Sequence, residues 1–170
     1  MKTIETKTPI FLFEMSKLKD EVLTAISTMG GSSIMGKTQQ ISNSDWHLDS
    51  GYLRPYFQII EEQLAIVCNK VSKKTDLNGL FVKNYWFQQY ERGDYHSWHN
   101  HGDSAYSGIY YVELPDSNTA TTFRTMGREF QIEVSEGDLL IFPSCFSHCS
   151  KPNRTGKRKT IVSINLGINN

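Results

Sequence analysis

Residues 93–101 read Gly-Asp-Tyr-His-Ser-Trp-His-Asn-His and hold three of the five histidines of the chain. His99 and His101 are two apart, and on an extended strand residues two apart point to the same face. Both imidazoles can therefore be aimed at one point. Asp103 lies two residues further on and can add a carboxylate if the chain stays extended or turns just there. His148 follows much later, after the apolar run Asp138-Leu-Leu-Ile-Phe-Pro143. The rest of the chain then serves as the scaffold that brings His148 back to His99 and His101.

The chain before and after Gly79 has two different periodicities. Thr8 to Glu14 reads as a short apolar strand. Ser16 can cap a helix in which Leu18, Val22, Ile26 and Met29 recur at helical spacing, ended by Gly30-Gly31. Residues 31–50 are rich in Ser, Gly, Asn, Thr and Gln and read as loop or irregular strand. His47, in that stretch, reads as a surface residue. A second helix is expected from about Leu53 to Lys73, with Pro55 in its first turn and Phe57, Ile60, Leu64, Val67 and Val71 as its apolar stripe. Glu61 and Glu62 fall mostly on its polar side and read as solvated carboxylates.

After Gly79 helical spacing disappears. Strands are expected over 80–90, 95–101, 107–113, 119–124, 129–134, 139–142 and 158–166, separated by turn signals. On the strand 95–101, simple alternation puts Tyr95, Ser97, His99 and His101 on one face. Many short strands of this kind predict a β-sandwich or jelly roll, not βαβ units. The fold class expected is mainly β with N-terminal helices, and one domain over residues 1–170. Residues 1–78 form a helical support and 79–170 the strand-rich core.

Charge and cysteine content narrow the partners. Lys+Arg and Asp+Glu both number 18, so the formal net charge is +0 and no global field attracts nucleic acid or an anionic membrane. Cys68, Cys145 and Cys149 are odd in number and form no CxxC, so no disulfide framework is implied. Cys145 and Cys149 flank His148 and read as ordinary free thiols. The N-terminal residues lack an apolar leader, and no run approaches the ~18–20 apolar residues of a membrane span. A soluble, cytoplasmic protein is expected.

His-x-His on one strand with a distant histidine on another can supply three ligands on one face of an octahedral metal. Open positions remain for substrate and oxygen, the geometry of non-haem Fe(II) oxygenases, which usually use two histidines and one carboxylate. Imidazole and carboxylate also suit Zn, Mn and Ni, so the ligand types alone do not fix the metal.

Residues 79–170 resemble the Fe(II)/2-oxoglutarate-dependent dioxygenases of the prolyl-hydroxylase-like kind, in particular a group common in marine bacteria and their phages. The resemblance lies in Tyr90-x-x-Gly93, His99-Asn-His101, Ser107-Gly-Ile-Tyr-Tyr-Val112, Glu136-Gly-Asp-Leu-Leu-Ile-Phe-Pro143, His148, Pro152-Asn-Arg154 and Arg158. Thr8-Pro-Ile and Asp45-Trp46 fit more weakly. It implies a double-stranded β-helix (jelly roll, cupin-like) and three cofactors or co-substrates: Fe(II), 2-oxoglutarate and O2. The family's His-x-Asp pair falls either on His99 and His101, with histidine in place of aspartate, or on His101 and Asp103; His148 is the distal ligand in both registers. The basic residue expected on the last strand to hold the far carboxylate of 2-oxoglutarate falls on Arg158, with Thr160 on the same face. Tyr110 or Tyr111 is expected to reach the co-substrate.

The activity implied is hydroxylation of an unidentified small-molecule or peptidyl substrate, with 2-oxoglutarate decarboxylated to succinate. Two other readings differ in what they require. Gly93-x5-His99-x-His101 and Gly137-x5-Pro143-x4-His148 also resemble the two cupin motifs, and a metal-binding cupin that does not use 2-oxoglutarate would not need Arg158. A non-catalytic module that kept only the fold would not bind metal.

Overall fold

The computed structural model describes residues 7–49 and 51–169. Residues 1–6, where no apolar leader is expected, lie outside the described residues. Eleven strands form one curled sheet: β1 (Phe11–Glu14), β2 (Ser32–Met35), β3 (Gln39–Ser44), β4 (Leu80–Tyr90), β5 (Tyr95–His99), β6 (Tyr106–Glu113), β7 (Thr122–Thr125), β8 (Arg128–Gln131), β9 (Asp138–Pro143), β10 (Ser147–Ser150) and β11 (Lys159–Ile168). Their order is β1-β9-β6-β11-β4-β3-β5-β10-β7-β8, with β2 paired to β3. Every pairing is antiparallel. This is the jelly roll expected from the sequence.

Two helices, α1 (Lys19–Ser27) and α2 (Pro55–Thr75), cover the outer face of the β9-β6-β11-β4 side. Pro55 opens α2, where its missing N–H is not needed. Asp76 ends it in the left-handed conformation at φ 55. Ile60, Leu64, Val67 and Val71 recur on one face and are fully buried. They meet Val22 and Ile26 of α1, and Tyr110, Val162 and Ile164 of the sheet, to form one core.

A second core lies inside the roll and holds Ile41, Tyr90, Ile109, Tyr111, Phe123, Phe142 and Ile161. Alternation along β6 and β11 divides residues between these cores: Tyr110 and Val162 face the helices, Tyr111 and Ile161 face inward. Gly137 links the cores. Its φ is +90, and a Cβ there would collide with the backbone of Ser16, so only glycine lets the chain after β1 lie against the loop before β9.

The polar stretch 31–50 departs from the loop expected. It contains the hairpin β2–β3, and β3 bridges β4 and β5. Asp45, fully buried, fixes the end of β3: it accepts from the Phe87 N–H at 2.7 Å, the Tyr56 hydroxyl at 2.8 Å and Arg54 Nε at 2.6 Å. Arg54 completes its shell on the carbonyls of Leu48, Asp49, Tyr52 and Asp45. One carboxylate thus ties β3, the start of α2 and β4 together. β10, also unexpected from the sequence, carries His148 between β5 and β7.

Candidate metal centre and its cavities

β5 and β10 place the histidines. His99 and His148 are direct partners across the strand pair. The next pairing matches Ser150 with His96, so β5 holds one residue more than β10 over this step. That bulge breaks the simple alternation read from the sequence. It brings His96 to the same side as His99, where the two rings stack at 3.8 Å. β5 ends at His99, and His101 lies just beyond it, its N–H bonded to the Ser144 carbonyl at 3.0 Å. Ligand nitrogens of His99, His101 and His148 lie within 4.8 Å of one another.

The tautomers follow from the partners. His99 Nδ1 is 2.8 Å from the Ser97 carbonyl oxygen, and His148 Nδ1 is 2.9 Å from that of Phe146. A carbonyl only accepts, so both Nδ1 atoms carry the proton and both Nε2 atoms keep a lone pair. Burial pushes His148 down to about 3 and His101 to about 4, and lowers His99 as well. Neighbouring imidazoles add to the effect on His148 and His101. All three are neutral at pH 7, the state a metal requires. By donor type, spacing and protonation the cluster fits a divalent transition metal.

Asp103 does not join them. Its side chain is 71% exposed and held by Lys83, whose Nζ bonds Oδ2 at 2.7 Å and the Asp103 carbonyl at 2.8 Å. The turn after His101 carries it outward, where a lysine solvates it better than a buried site would.

Two cavities adjoin the histidines. The inner one, about 30 Å³, is walled by Trp86, Gln88, Tyr90, Thr121, Ser150, Ser163 and Asn165 among others. The outer one, about 260 Å³, opens between Ile34, Gln39, Trp46, Trp86, Gln88 and His96. The β2–β3 hairpin forms part of its rim.

Arg158 and Thr160, expected to hold the co-substrate, line neither cavity. Lys159, Ile161, Ser163 and Asn165 alternate with Thr160, Val162 and Ile164, and it is the odd-numbered set that looks into the roll. Arg158 forks onto Glu113, Nε to Oε2 at 2.8 Å and Nη2 to Oε1 at 3.2 Å, outside both cavities. Thr160 donates to the same Glu113. Tyr110 points to the helices and donates to the Met15 carbonyl at 3.0 Å. Tyr111 is the inward tyrosine, its hydroxyl accepting from the Thr121 N–H at 3.3 Å.

The inward cation is Lys159, 1% exposed. Its Nζ donates to the Thr119 carbonyl at 2.6 Å and to Ser150 Oγ at 2.9 Å, and lies 5.2 Å from the Tyr90 ring. Ser150 and Tyr90 both wall the inner cavity, so the ammonium sits one hydrogen bond behind it. Burial lowers Lys159 to about 7. Such a group gains most from an anion brought to it. The inner cavity has room for about two waters.

Residues 84–129 match the family model described as "Putative 2OG-Fe(II) oxygenase". That segment runs from β4 through His99 and His101 to β8. Solved structures share the oxygenase fold across nearly the whole chain. An oxidoreductase of the 2OG-Fe(II) oxygenase family from Burkholderia pseudomallei matches with a TM-score of 0.76 at 9% identity, over 93% of this chain and 85% of that one. A prolyl-4-hydroxylase from Pseudomonas putida matches at 0.62 and 16%, over 96% and 94%. HygX from Streptomyces hygroscopicus, solved with nickel and 2-oxoglutarate bound, matches at 0.66 and 8%, over 94% and 83%. At these identities the likeness establishes the oxygenase fold. No curated protein matches the sequence. Among the described residues no helix is long and apolar enough to cross a membrane.

Proposed function

We propose that the chain is an Fe(II)- and 2-oxoglutarate-dependent dioxygenase that hydroxylates a small-molecule or peptidyl substrate, with His99, His101 and His148 as the metal ligands. The observation that carries this reading is the convergence within 4.8 Å of three neutral imidazoles, His99 and His101 from the end of β5 and just beyond it and His148 from β10, the first two inside the family-matched segment. Iron bound there supplies the oxidising chemistry, in which O2 gives one oxygen atom to succinate and the other to the substrate.

The protein's own contributions are positional. The Ser97 and Phe146 carbonyls orient two imidazoles. In this reading Lys159 rather than Arg158 holds the far carboxylate of 2-oxoglutarate, supported by its hydrogen bond to Ser150 of the inner cavity wall. The inner core, with Tyr111, Phe123 and Phe142, keeps bulk water from the site. The outer cavity, lined by Trp46 and Trp86, is where a substrate reaches the histidines. Residues 1–170 act as one domain, because the helices' core and the roll's core share β4, β6, β9 and β11. We place the protein in the cytoplasm, in keeping with its three free cysteines.

The buried ammonium facing inward favours the 2-oxoglutarate reading over a cupin that dispenses with it. Anaerobic Fe(II) titration with and without 2-oxoglutarate tests it. A visible metal-to-ligand charge-transfer band is expected only with both present. Turnover of 2-oxoglutarate that survives complete metal removal refutes it.

A further inference from the structure

Four histidines gather beside the inner cavity, and three of them converge. Ligand nitrogens of His99, His101 and His148 lie within 4.8 Å of one another, and His96 is not in that set. The His96 ring lies nearly parallel to that of His99, with centroids 3.8 Å apart and planes at 17°. The lone pair of an imidazole nitrogen lies in the plane of its ring. An ion about 2 Å from His99 Nε2 therefore lies in the plane of His99, well away from that of His96. Near-parallel rings send their lone pairs side by side, so His96 is not placed to share the ion of His99. Its nitrogens have no other use within the fold. Among the described residues neither meets a hydrogen-bond partner, whereas His99 and His148 each spend Nδ1 on a carbonyl.

What His96 does offer is a ring face on a rigid mount. Its backbone pairs with Gln39 of β3 on one side and with Ser150 of β10 on the other. On a regular strand, residues 96 and 99 would point to opposite faces, and the bulge in β5 turns them to the same one. His99 needs such a support. The Ser97 carbonyl holds its ring at one edge only, through Nδ1. His148 approaches with its plane tilted by 56°, and His101 meets the ring edge-on at 87°. Among the described residues His96 alone is stacked flat on it. Both rings line the outer cavity, so without His96 that face of His99 opens to solvent. We propose that His96 is a positioning residue, a platform whose ring face sets the plane of His99 and so aims His99 Nε2 at the metal. The proposal rests on the metal-binding role of the three histidines and adds to it the task of the fourth. The ring face does this work; the nitrogens of His96 do not.

Titration of the metal-free protein with Co(II), followed by calorimetry and by the visible absorption of the bound ion, tests the platform without reference to turnover. His96→Ala removes the ring and should weaken Co(II) binding by about tenfold, the effect of a lost orienting contact. Its visible bands should differ from those of the unaltered protein. His96→Phe keeps a flat ring and has no nitrogen. It should bind Co(II) within threefold of the unaltered protein and restore the bands. A loss of under fivefold in His96→Ala overturns the proposal. A loss of more than threefold in His96→Phe also overturns it, because the nitrogens then carry the effect. Melting curves of the metal-free variants confirm that each is folded. If His96→Phe is not, His96→Gln decides: it keeps a hydrogen-bonding nitrogen without the ring, so it should behave like His96→Ala, and affinity like that of the unaltered protein overturns the platform. The unaltered protein is titrated first. If it does not bind Co(II), the metal site and the platform both fall; if it binds and the variants depart from these expectations, the platform falls and the oxygenase reading stands.

Discussion

His99 and His148 stand opposite each other across the β5–β10 pair, with ring centroids 4.3 Å apart. Strand pairing itself, not a flexible loop, fixes this relationship, and each imidazole is locked in one tautomer by a carbonyl two residues before it. Replacing either with alanine removes one of the three converging imidazoles, and Asp103 is turned away. His99→Ala and His148→Ala are each expected to weaken Mn(II) or Co(II) binding by about a hundredfold or more, beyond the 10–100-fold typical of an orienting partner. Calorimetric titration checks this; affinity within threefold of the unaltered protein would mean the cluster is not the metal site.

The same crowding makes the metal-free protein acid-sensitive. In the unfolded chain a histidine titrates near 6.5. In the fold burial holds His148 at about 3, so it stays neutral there while the unfolded chain takes up a proton. Lowered folded values mean stability falls as the pH drops below 6.5, and the loss continues until the folded group itself protonates near 3. His148, 5% exposed, accounts for about 2 kcal/mol between pH 6.5 and 5. His96 and His101 add in the same direction, tempered by their partial exposure. Urea denaturation of metal-free protein at pH 7 and pH 5 should show this loss. His148→Phe should reduce it, and an unchanged midpoint would contradict it.

Lys159 and Arg158 are neighbours in sequence with opposite fates. Lys159→Met is expected to raise the concentration of 2-oxoglutarate needed for half-saturation by about tenfold or more, the loss of one charge-assisted contact. Metal affinity should stay unchanged. Arg158→Ala opens only a half-exposed pair with Glu113, so its effect on 2-oxoglutarate binding should be under twofold. Titration of the charge-transfer band with 2-oxoglutarate separates the two. The reverse ranking would return the co-substrate role to Arg158.

That pair also shows where sequence reasoning stops. The family resemblance implied a basic group on the last strand, but which parity faces inward depends on how β11 registers against β4 and β6. Lys159 lies opposite Tyr90, and Ser163 opposite Trp86, both inner-wall residues. No local signal in 158–166 carries that register. The extra residue in β5 was hidden for the same reason, and with it the approach of His96 to His99. His99 and His148 were legible because each sits beside strong punctuation, the Tyr90-x-x-Gly93 turn and the apolar run to Pro143. The hairpin β2–β3 was not. Its strands read Ser-Ser-Ile-Met and Gln-Gln-Ile-Ser-Asn-Ser, where a single fully buried apolar residue, Ile41, stands among polar ones and no apolar alternation marks a strand.

Asp45 offers a test of how the outer cavity is held in place. Its carboxylate is fully buried and takes three hydrogen bonds, from the Phe87 N–H, Tyr56 and Arg54. Arg54 is 5% exposed, so removing Asp45 strands a guanidinium with only carbonyl partners and leaves a buried N–H and a buried hydroxyl unpaired. Breaking a buried pair from one side costs about 3–5 kcal/mol. Asp45→Ala should therefore lower unfolding free energy by about that much in urea. Asp45→Asn keeps the shape and an acceptor for the Phe87 N–H while losing the charge, and should fall between. Trp46 follows Asp45 and rests edge-on against Trp86 at 4.5 Å. A variant that stays folded should thus also loosen the aromatic wall of the outer cavity, seen as a red shift of indole fluorescence at temperatures below the melt. If Asp45→Ala costs less than 1 kcal/mol, the buried network is not what anchors β3 to α2 and β4, and the rim of the outer cavity is held by strand pairing alone.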